Sequence, residues 1–230
     1  RWNHPPIITC WVNTNPGIFS SIMRNGDLRK QVPKIFENEI QLAMADYDEE
    51  FFVKLADEAL SGLPDTPISK VETFLRSLEK RPMAKSTVRS WLSTLLDKGS
   101  SEIRSLVVFH LYSILKKINS VSLIPTFLNL AISSETRLTS KMIPSLSIVV
   151  HNIRDNIDSV DRKSANRFRK KLLQKLKEVP ELDYHAENLL DFAFDSIDSV
   201  NDFLESRFHK SKEIWEKGAM DQRYEPIPFE

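Results

Sequence analysis

Apolar side chains recur at helical spacing along most of the chain, and this periodicity constrains the fold more than any other feature. From about residue 33 onward, apolar residues repeat at three- and four-residue steps, which places them on one face of an α-helix. Val71, Phe74, Leu75 and Leu78 form one such face. We expect this helix to begin at Ser69, with a capping box closed by Glu72.

Several other segments carry the same pattern. Apolar faces run from Val88 to Leu96, where Gly99 is a stop signal, from Ile103 to Ile118, and from Met142 to Ile157. Segments near 34–45, 49–61, 122–133, 160–178 and 184–217 bring the total to about nine helices. Short connections favour antiparallel neighbours. The sequence therefore predicts an all-α, helical-repeat-like bundle of about nine stacked antiparallel helices, with Trp91 and Leu111 in its core.

The two ends differ from this helical body. Residues 1–33 contain prolines, tryptophans and β-branched residues, and predict an irregular N-terminal arm with a short strand at Ile7–Val12. Residues 34–217 are predicted to form a single α-helical domain, and residues 218–230 a C-terminal tail. The chain starts at Arg1 rather than at methionine, so we expect it to be part of a longer protein.

Signatures of catalysis are missing from the sequence. The five glycines are scattered, whereas phosphate-binding loops need clustered glycines that let the backbone approach an anion. His4 and Cys10 give only two metal ligands, and His110 lies on an apolar stripe, as expected of a hydrogen-bonded core histidine. We therefore predict a non-catalytic protein without metal or cofactor.

A single cysteine and the absence of an Asn-x-Ser/Thr sequon fit a reducing compartment. No apolar run approaches the roughly 18 residues that cross a bilayer. These observations predict a nuclear or cytoplasmic protein that does not bind membranes.

The segment SSEIRSLVVFHLYSILKKINSVSLIPTFLNLAIS, residues 100–133, resembles one repeat of the HEAT/ARM-type helical scaffolds. Ile103-Arg104 stands where that family places Val-Arg in its first helix, and Pro125 matches the early proline of its second helix. Residues 71–118, with LEKRPMAKSTVRSWLSTLLDKGSSEIRSL, also resemble the N-terminal helical bundle of transcription elongation factors. Both resemblances imply a binding scaffold without catalysis.

Positive charge is concentrated in RKSANRFRKKLLQKLKE, which has eight Lys or Arg before its first acid although the formal net charge of the chain is zero. Phe168, Leu172 and Leu176 give this helix an apolar face. Four of its basic residues recur at four-residue steps and form a stripe along another side of the helix. They are Lys163, Arg167, Lys171 and Lys175. Lys170, next to Lys171, is a further candidate for contact with a partner.

The following segment is acidic, with nine acids and no Lys or Arg between Glu178 and Glu205. If residues 184–217 form one helix, these acids make a stripe and the apolar residues a second face. The acidic stripe is Glu187, Asp191, Asp195, Asp198, Asp202 and Glu205. The apolar face is Leu189, Leu190, Ala193, Phe194, Ile197, Val200 and Leu204.

Three interpretations of the basic stripe remain open. It could be neutralised by the acidic stripe of an antiparallel neighbour, it could stay in water, or it could bind nucleic acid or anionic lipid. The acidic neighbour opposes nucleic acid, because its field acts within a Debye length of about 10 Å. We therefore expect the stripe to serve contacts with protein, within the chain or in a partner.

Four aromatic residues lie off the regular core pattern. Trp2 and Trp11 belong to the irregular arm, while Phe192 and Phe203 lie off the main apolar face of the acidic segment. The fold could cover them, or they could anchor a partner. The sequence thus predicts a scaffold or adaptor domain that binds another protein. The candidate binding residues are these aromatics and the two charged stripes. The alternative is a nucleic-acid-binding module that uses residues 162–177.

Overall fold

The computed structural model describes residues 41–221, apart from 43–44, 47, 136, 155–159, 180–183 and 195. From residue 210 onward it describes the side chain of Lys212 alone. The described part is all-helical and contains no strand, which confirms the predicted fold class. The predicted arm over residues 1–33, its strand, and the tail beyond residue 221 lie outside the described residues.

Between residues 49 and 221, the described part of the chain forms nine α-helices. They are α1 (Glu49–Ser61), α2 (Ile68–Lys80), α3 (Lys85–Lys98), α4 (Ser101–Lys117), α5 (Ile124–Ser133), α6 (Met142–Arg154), α7 (Arg162–Lys177), α8 (Tyr184–Ala193) and α9 (Ile197–Asp221). A 3₁₀ turn at Val121–Leu123 precedes α5. The segment that resembles a HEAT repeat forms α4, this turn and α5.

The consecutive helices α1 and α2 are antiparallel. Lys70 near the start of α2 pairs with Glu58 near the end of α1, with a distance of 2.7 Å between Nζ and Oε2. Arg81 just beyond the end of α2 pairs with Glu49 at the start of α1, at 2.9 Å. The two contacts lie at opposite ends of one hairpin.

Helices two apart in sequence lie side by side and run in the same direction. Lys141 and Glu102, at the starts of α6 and α4, approach to 3.5 Å between Nζ and Oε1. Lys171 of α7 contacts Ser133 of α5, and near their starts Ser164 contacts Thr126. The even-numbered helices α2, α4, α6 and α8 therefore make one layer, and the odd-numbered helices α1, α3, α5, α7 and α9 make a second.

The core lies between the two layers, and α4 is its central helix, in contact with α2, α3, α5 and α6. Leu111 of α4 is fully buried, as predicted. Trp91 of α3 is only partly buried, and packs edge-on against the rings of Phe52 and Phe74. The indole therefore covers the rim of the core and does not fill its centre.

The predicted start of α2 was wrong. The helix begins at Ile68 rather than after Ser69, and Pro67 occupies the cap position without a side-chain hydrogen bond. The fixed φ of proline suits the entry into a helix, so the chain turns helical before Ser69 is reached. Elsewhere serine and aspartate do cap, for example Ser100, whose Oγ accepts from the Ile103 N–H at 3.3 Å.

The segment predicted as one helix over 184–217 is two helices. α8 ends at Ala193, and α9 starts at Ile197, with Ser196 at its cap. Ser199 N–H donates to Ser196 Oγ at 3.2 Å, while Ser196 N–H donates to Ser199 Oγ at 3.3 Å. This reciprocal cap ends one helix and starts another, and α9 then continues past the boundary predicted at residue 217.

The break changes the phase of the apolar face. Ile197 and Leu204, predicted to face the core, are 79% and 58% exposed. Phe203, predicted off the apolar face, is buried and stacks edge-on with Phe194 at 5.7 Å between ring centroids. The break before Ile197 therefore means that α9 does not continue the apolar face of α8, and α9 turns Phe203 rather than Leu204 toward the core.

Candidate functional site

Helix α7 carries the basic stripe and is held by contacts at both ends and along one side. Asp161 caps it, and the Asp161 Oδ2 atom accepts from the Ser164 N–H at 2.8 Å. Hydrogen bonds from the Ser164 side chain and backbone hold the pKa of Asp161 below its ordinary value. Phe168 and Leu172 are fully buried, which fixes the rotation of the helix and turns its other side outward.

The outward side of α7 consists largely of cations. Lys163, Arg167, Lys170 and Lys171 are all exposed, whereas Lys175 is half-buried. Neither Arg167 nor Lys170 forms an ion pair with another residue in the described part of the chain. Among the exposed residues of this helix there is no apolar side chain.

Two of the predicted basic residues contact α5 rather than the acidic segment. Lys171 Nζ donates to Ser133 Oγ at 2.7 Å. Lys175 Nζ donates to the backbone carbonyl of Glu135. Both contacts place an ammonium group at the C-terminal end of α5, where the helix dipole attracts cations.

The predicted acids have other positions and partners. Asp202 pairs with Lys177, at 2.5 Å between Oδ2 and Nζ, and this ion pair joins α9 to the end of α7. Asp191 pairs with Arg154 of α6. Asp198 is exposed at the start of α9, and Asp195 lies outside the described residues. The acidic stripe is thus divided between two helices.

The helix beside α7 contributes no charge to this surface. α5 has the sequence IPTFLNLAIS, without an acid or base. Beyond it, α3 places Lys85 and Arg89 at exposed positions. The outer side of the odd layer therefore leads from the cations of α7 across an uncharged helix to further cations on α3.

Two of the four aromatic residues considered as anchors, Phe192 and Phe203, do not lie on the surface. Phe192 is 4% exposed and packs against Phe168, with the Arg169 guanidinium 4.7 Å from its ring centroid. Phe203 is 3% exposed. The structure thus covers both rings, because α8 and α9 pack against α7 and bury them. Trp2 and Trp11 lie outside the described residues.

The buried histidine and the buried carboxylate of Glu135 have partners inside the fold. His110 is buried, and its Nδ1 lies 2.9 Å from Glu79 Oε1, as expected of a hydrogen-bonded core histidine. Arg104 donates through Nε to the buried Glu135 at 2.7 Å. Over the described ranges, no group of three or more His, Cys, Asp or Glu residues is placed to hold a metal ion.

Sequence reasoning missed two surface features. A cavity of about 500 Å³ lies between α6 and α8 and is lined by residues that include Ile148, His151, Tyr184 and His185. An exposed apolar stripe on α9 was missed because it depends on the break before Ile197. The Ser196-x-x-Ser199 spacing was the signal that could have revealed that break.

None of the helices that the structure describes has the length and apolar character needed to cross a membrane. Comparison with known proteins found no matching family model, no matching curated protein and no matching solved structure.

Proposed function

We propose that the protein is a non-catalytic scaffold, and that the outer side of α7 binds an acidic segment of another protein. The observation that carries this proposal is the exposure of Lys163, Arg167, Lys170 and Lys171 beside the uncharged α5. A row of cations on a rigid helix supplies electrostatic complementarity, which governs partner choice and association rate more than affinity. The two-layer stack supports a HEAT-like role, since such stacks present extended surfaces.

A protein partner suits the charge pattern better than nucleic acid does. The cations of α7 are bordered by Asp161 at one end and Glu178 at the other, and the whole chain has no net charge. Single-stranded nucleic acids also need exposed aromatic rings for stacking, and Phe109, Tyr184 and Phe208, the exposed aromatic residues of the described part, lie on α4, α8 and α9. The single cysteine and the absence of a sequon support a nuclear or cytoplasmic location.

One observation favours nucleic acid as the second candidate. The cations of α7 and those of α3, Lys85 and Arg89, share the outer side of the odd layer, and α5 between them brings no acid. Two packed interhelical distances separate the two rows, which is about 16–20 Å. A phosphate backbone could contact both rows.

The test uses the double variant Arg167→Glu with Lys170→Glu. It replaces two cations that form no ion pair in the described part of the chain. Because both residues are exposed, the double variant should keep the circular dichroism spectrum and the unfolding midpoint of the unaltered protein. Proteins captured from a cell extract by the unaltered chain and by the variant are then compared by quantitative mass spectrometry. Proteins with acidic segments should be captured by the unaltered chain and not by the variant. The matched control is Lys54→Glu with Arg76→Glu, two exposed cations on α1 and α2, which should retain them.

A titration of a labelled DNA or RNA duplex at low salt separates the two candidates. We expect no binding at micromolar concentration. Micromolar binding with a steep salt dependence, lost in the α7 variant and kept in the control, would instead identify a nucleic-acid module.

A further inference from the structure

The cavity between α6 and α8 has the size of a small-molecule site. Its volume of about 500 Å³ falls within the range of about 300–1,000 Å³ that such sites occupy. α6 and α8 are neighbouring helices of the even layer, and Ile153 of α6 and Leu189 of α8 are fully buried. The core therefore holds the two helices that form the walls of the cavity.

The lining of the cavity has an apolar part and a polar part. Ile148 and Tyr184 are 42% and 71% exposed, and the Tyr184 ring packs edge-on against the ring of His185 at 5.8 Å between centroids. An aromatic ring beside an aliphatic side chain offers contact area to an apolar ligand. Asn152 and Asn188 line the cavity four residues further along α6 and α8, which is about one helical turn. Apolar contact and amide groups thus follow one another along the cavity.

Among the lining residues, those that can carry a charge at neutral pH are basic. They are His151, Arg154 and His185, and no acid belongs to the lining that the structure describes. Glu187 of α8 is exposed but is not a lining residue. Hydrogen-bond donors that carry positive charge bind carboxylate and phosphate groups strongly. The polar part of the cavity therefore favours an anionic group.

Arg154, the last residue of α6, has donors available for such a group. Its Nη2 atom donates to Asp191, which lies outside the lining. A guanidinium has five N–H donors in a planar fork, so a contact through one nitrogen leaves others for a second anion. Arg154 and Asp191 are 54% and 62% exposed, which lets a ligand reach the guanidinium. Asp191 then competes with the ligand for Arg154.

We propose that this cavity binds a small molecule that combines a ring-sized apolar body with one anionic group, a carboxylate or a phosphate monoester. The body lies against Ile148 and Tyr184. The anionic group is bound by Arg154 and by His151, which lies three residues earlier and so on the same face of α6. α7 contributes no residue to the cavity, so binding here is independent of the function proposed for α7.

The experiment titrates the whole 230-residue chain with four probes that share a naphthalene body. Naphthoate carries a carboxylate, naphthyl phosphate a phosphate, naphthamide an uncharged amide, and aminomethylnaphthalene an ammonium group. Binding is measured by NMR titration of the isotope-labelled protein. At least one anionic probe should bind with a Kd below about 1 mM, and at least about tenfold more tightly than the amide and the ammonium probes. The tighter of the two anionic probes identifies the group that the site prefers.

Two substitutions in one ion pair separate ligand binding from a structural role of that pair. Arg154→Met and Asp191→Asn both remove the pair, yet they should act in opposite directions. Arg154→Met should weaken binding of the anionic probe at least about tenfold, whereas Asp191→Asn should strengthen it because the competing carboxylate is gone. Arg76→Met, the same substitution at an exposed cation of α2, is the matched control and should leave binding unchanged.

A steric variant locates the bound probe. Asn188→Trp places a larger ring in the cavity without changing its charge, and should abolish binding. The Arg167→Glu with Lys170→Glu variant should bind the probe normally, so failure of the function proposed for α7 would not affect this result. Circular dichroism and the unfolding midpoint of each variant check that its helices are intact.

Three results would overturn the proposal. One is that neither anionic probe binds at about 1 mM, a concentration that detects weak complexes. Another is that the amide or the ammonium probe binds as tightly as the anionic ones, since the cavity would then not select an anion. The third is that Arg154→Met and Asp191→Asn weaken binding equally, which would show that the ion pair only supports the structure.

Discussion

Glu135 follows the C-terminal end of α5 and holds together three parts of the fold. Its buried carboxylate accepts from Arg104 of α4, its carbonyl accepts from Lys175 of α7, and Arg104 also donates to the carbonyl of Gly99 at 2.6 Å. A buried charge costs much free energy unless it is paired. This residue therefore makes the position of α4 depend on that of the segment after α5.

Replacing one member of this buried pair should destabilise the protein strongly. Glu135→Ala leaves the guanidinium of Arg104 without its counter-charge, and we expect a loss of about 3–5 kcal/mol in the free energy of unfolding. The measurement is urea denaturation. Arg104→Met combined with Glu135→Ala should lose less than the sum of the two single variants, and strict additivity would show that the two side chains are not coupled.

Leu111 and Phe109 offer a matched comparison on one helix. Leu111 is fully buried, whereas Phe109 is 49% exposed. Leu111→Ala should cost about 2–5 kcal/mol of unfolding free energy, since it removes packed methyl groups and leaves a cavity. Phe109→Ala should cost less than about 1 kcal/mol. Thermal and urea unfolding measure both, and similar losses would contradict the assigned orientation of α4.

At the scale of the helix, the residues at the helix ends determine which side of each helix faces solvent. Asp161 starts α7, the Ser196 and Ser199 pair starts α9, and Gly99 forms the connection between α3 and α4. Each of these positions fixes the rotation or the crossing of a helix. The orientation of the basic side of α7 and of the apolar stripe on α9 follows from them.

The cap of α7 should contribute a pH-dependent part of the stability. Hydrogen bonds from Ser164 hold the pKa of Asp161 below its ordinary value of 3.8. A folded-state pKa that is lowered means that the contribution is present above the unfolded value and is lost as the pH falls through the folded one. Asp161→Asn can still cap but does not titrate. The difference in urea midpoint between the native protein and this variant should shrink as the pH falls below about 4, and a difference that stays constant would contradict this account.

Gly99 should not tolerate a side chain. A Cβ atom there would meet the carbonyl oxygen of Leu95 and lie 2.6 Å from Ile103 Cγ2. We expect Gly99→Ala to cost about 1–3 kcal/mol, as overpacking does. Gly62→Ala is the control, because its nearest neighbour is Thr66 Oγ1 at 3.0 Å. Urea denaturation should show the larger loss for Gly99, and equal losses would argue against close packing at this turn.

Helices could be predicted from the sequence, but their partners could not. The apolar spacing around Val71 and Leu111 and the stop at Gly99 are local signals, and the structure has helices where they predict them. The contact of Lys171 with Ser133 forms because α7 packs beside α5, two helices earlier in the sequence. No local signal in the sequence predicts that pairing. The sequence analysis treated residues 184–217 as one helix and did not predict the cap at Ser196, so Leu204 was wrongly predicted to face the core. A helix break shifts the phase of every later residue.

For the molecule as a whole, the two-layer stack makes stability uneven along the chain. α4 packs against helices of both layers, whereas α9 packs against α7 at the end of the odd layer. In such stacks each element is stabilised mainly by its neighbours. A helix with few neighbours can therefore open without the rest of the molecule.

Hydrogen exchange measured by mass spectrometry should resolve this difference. We expect the amides of α4 to exchange only through global unfolding, and those of α9 to exchange at least about tenfold faster through local opening. Tyr184 and its helix α8, which contacts α6 and α7, should be intermediate. Equal protection of α4 and α9 in the protein alone would contradict the assignment of α9 as a terminal helix with an uncovered apolar side.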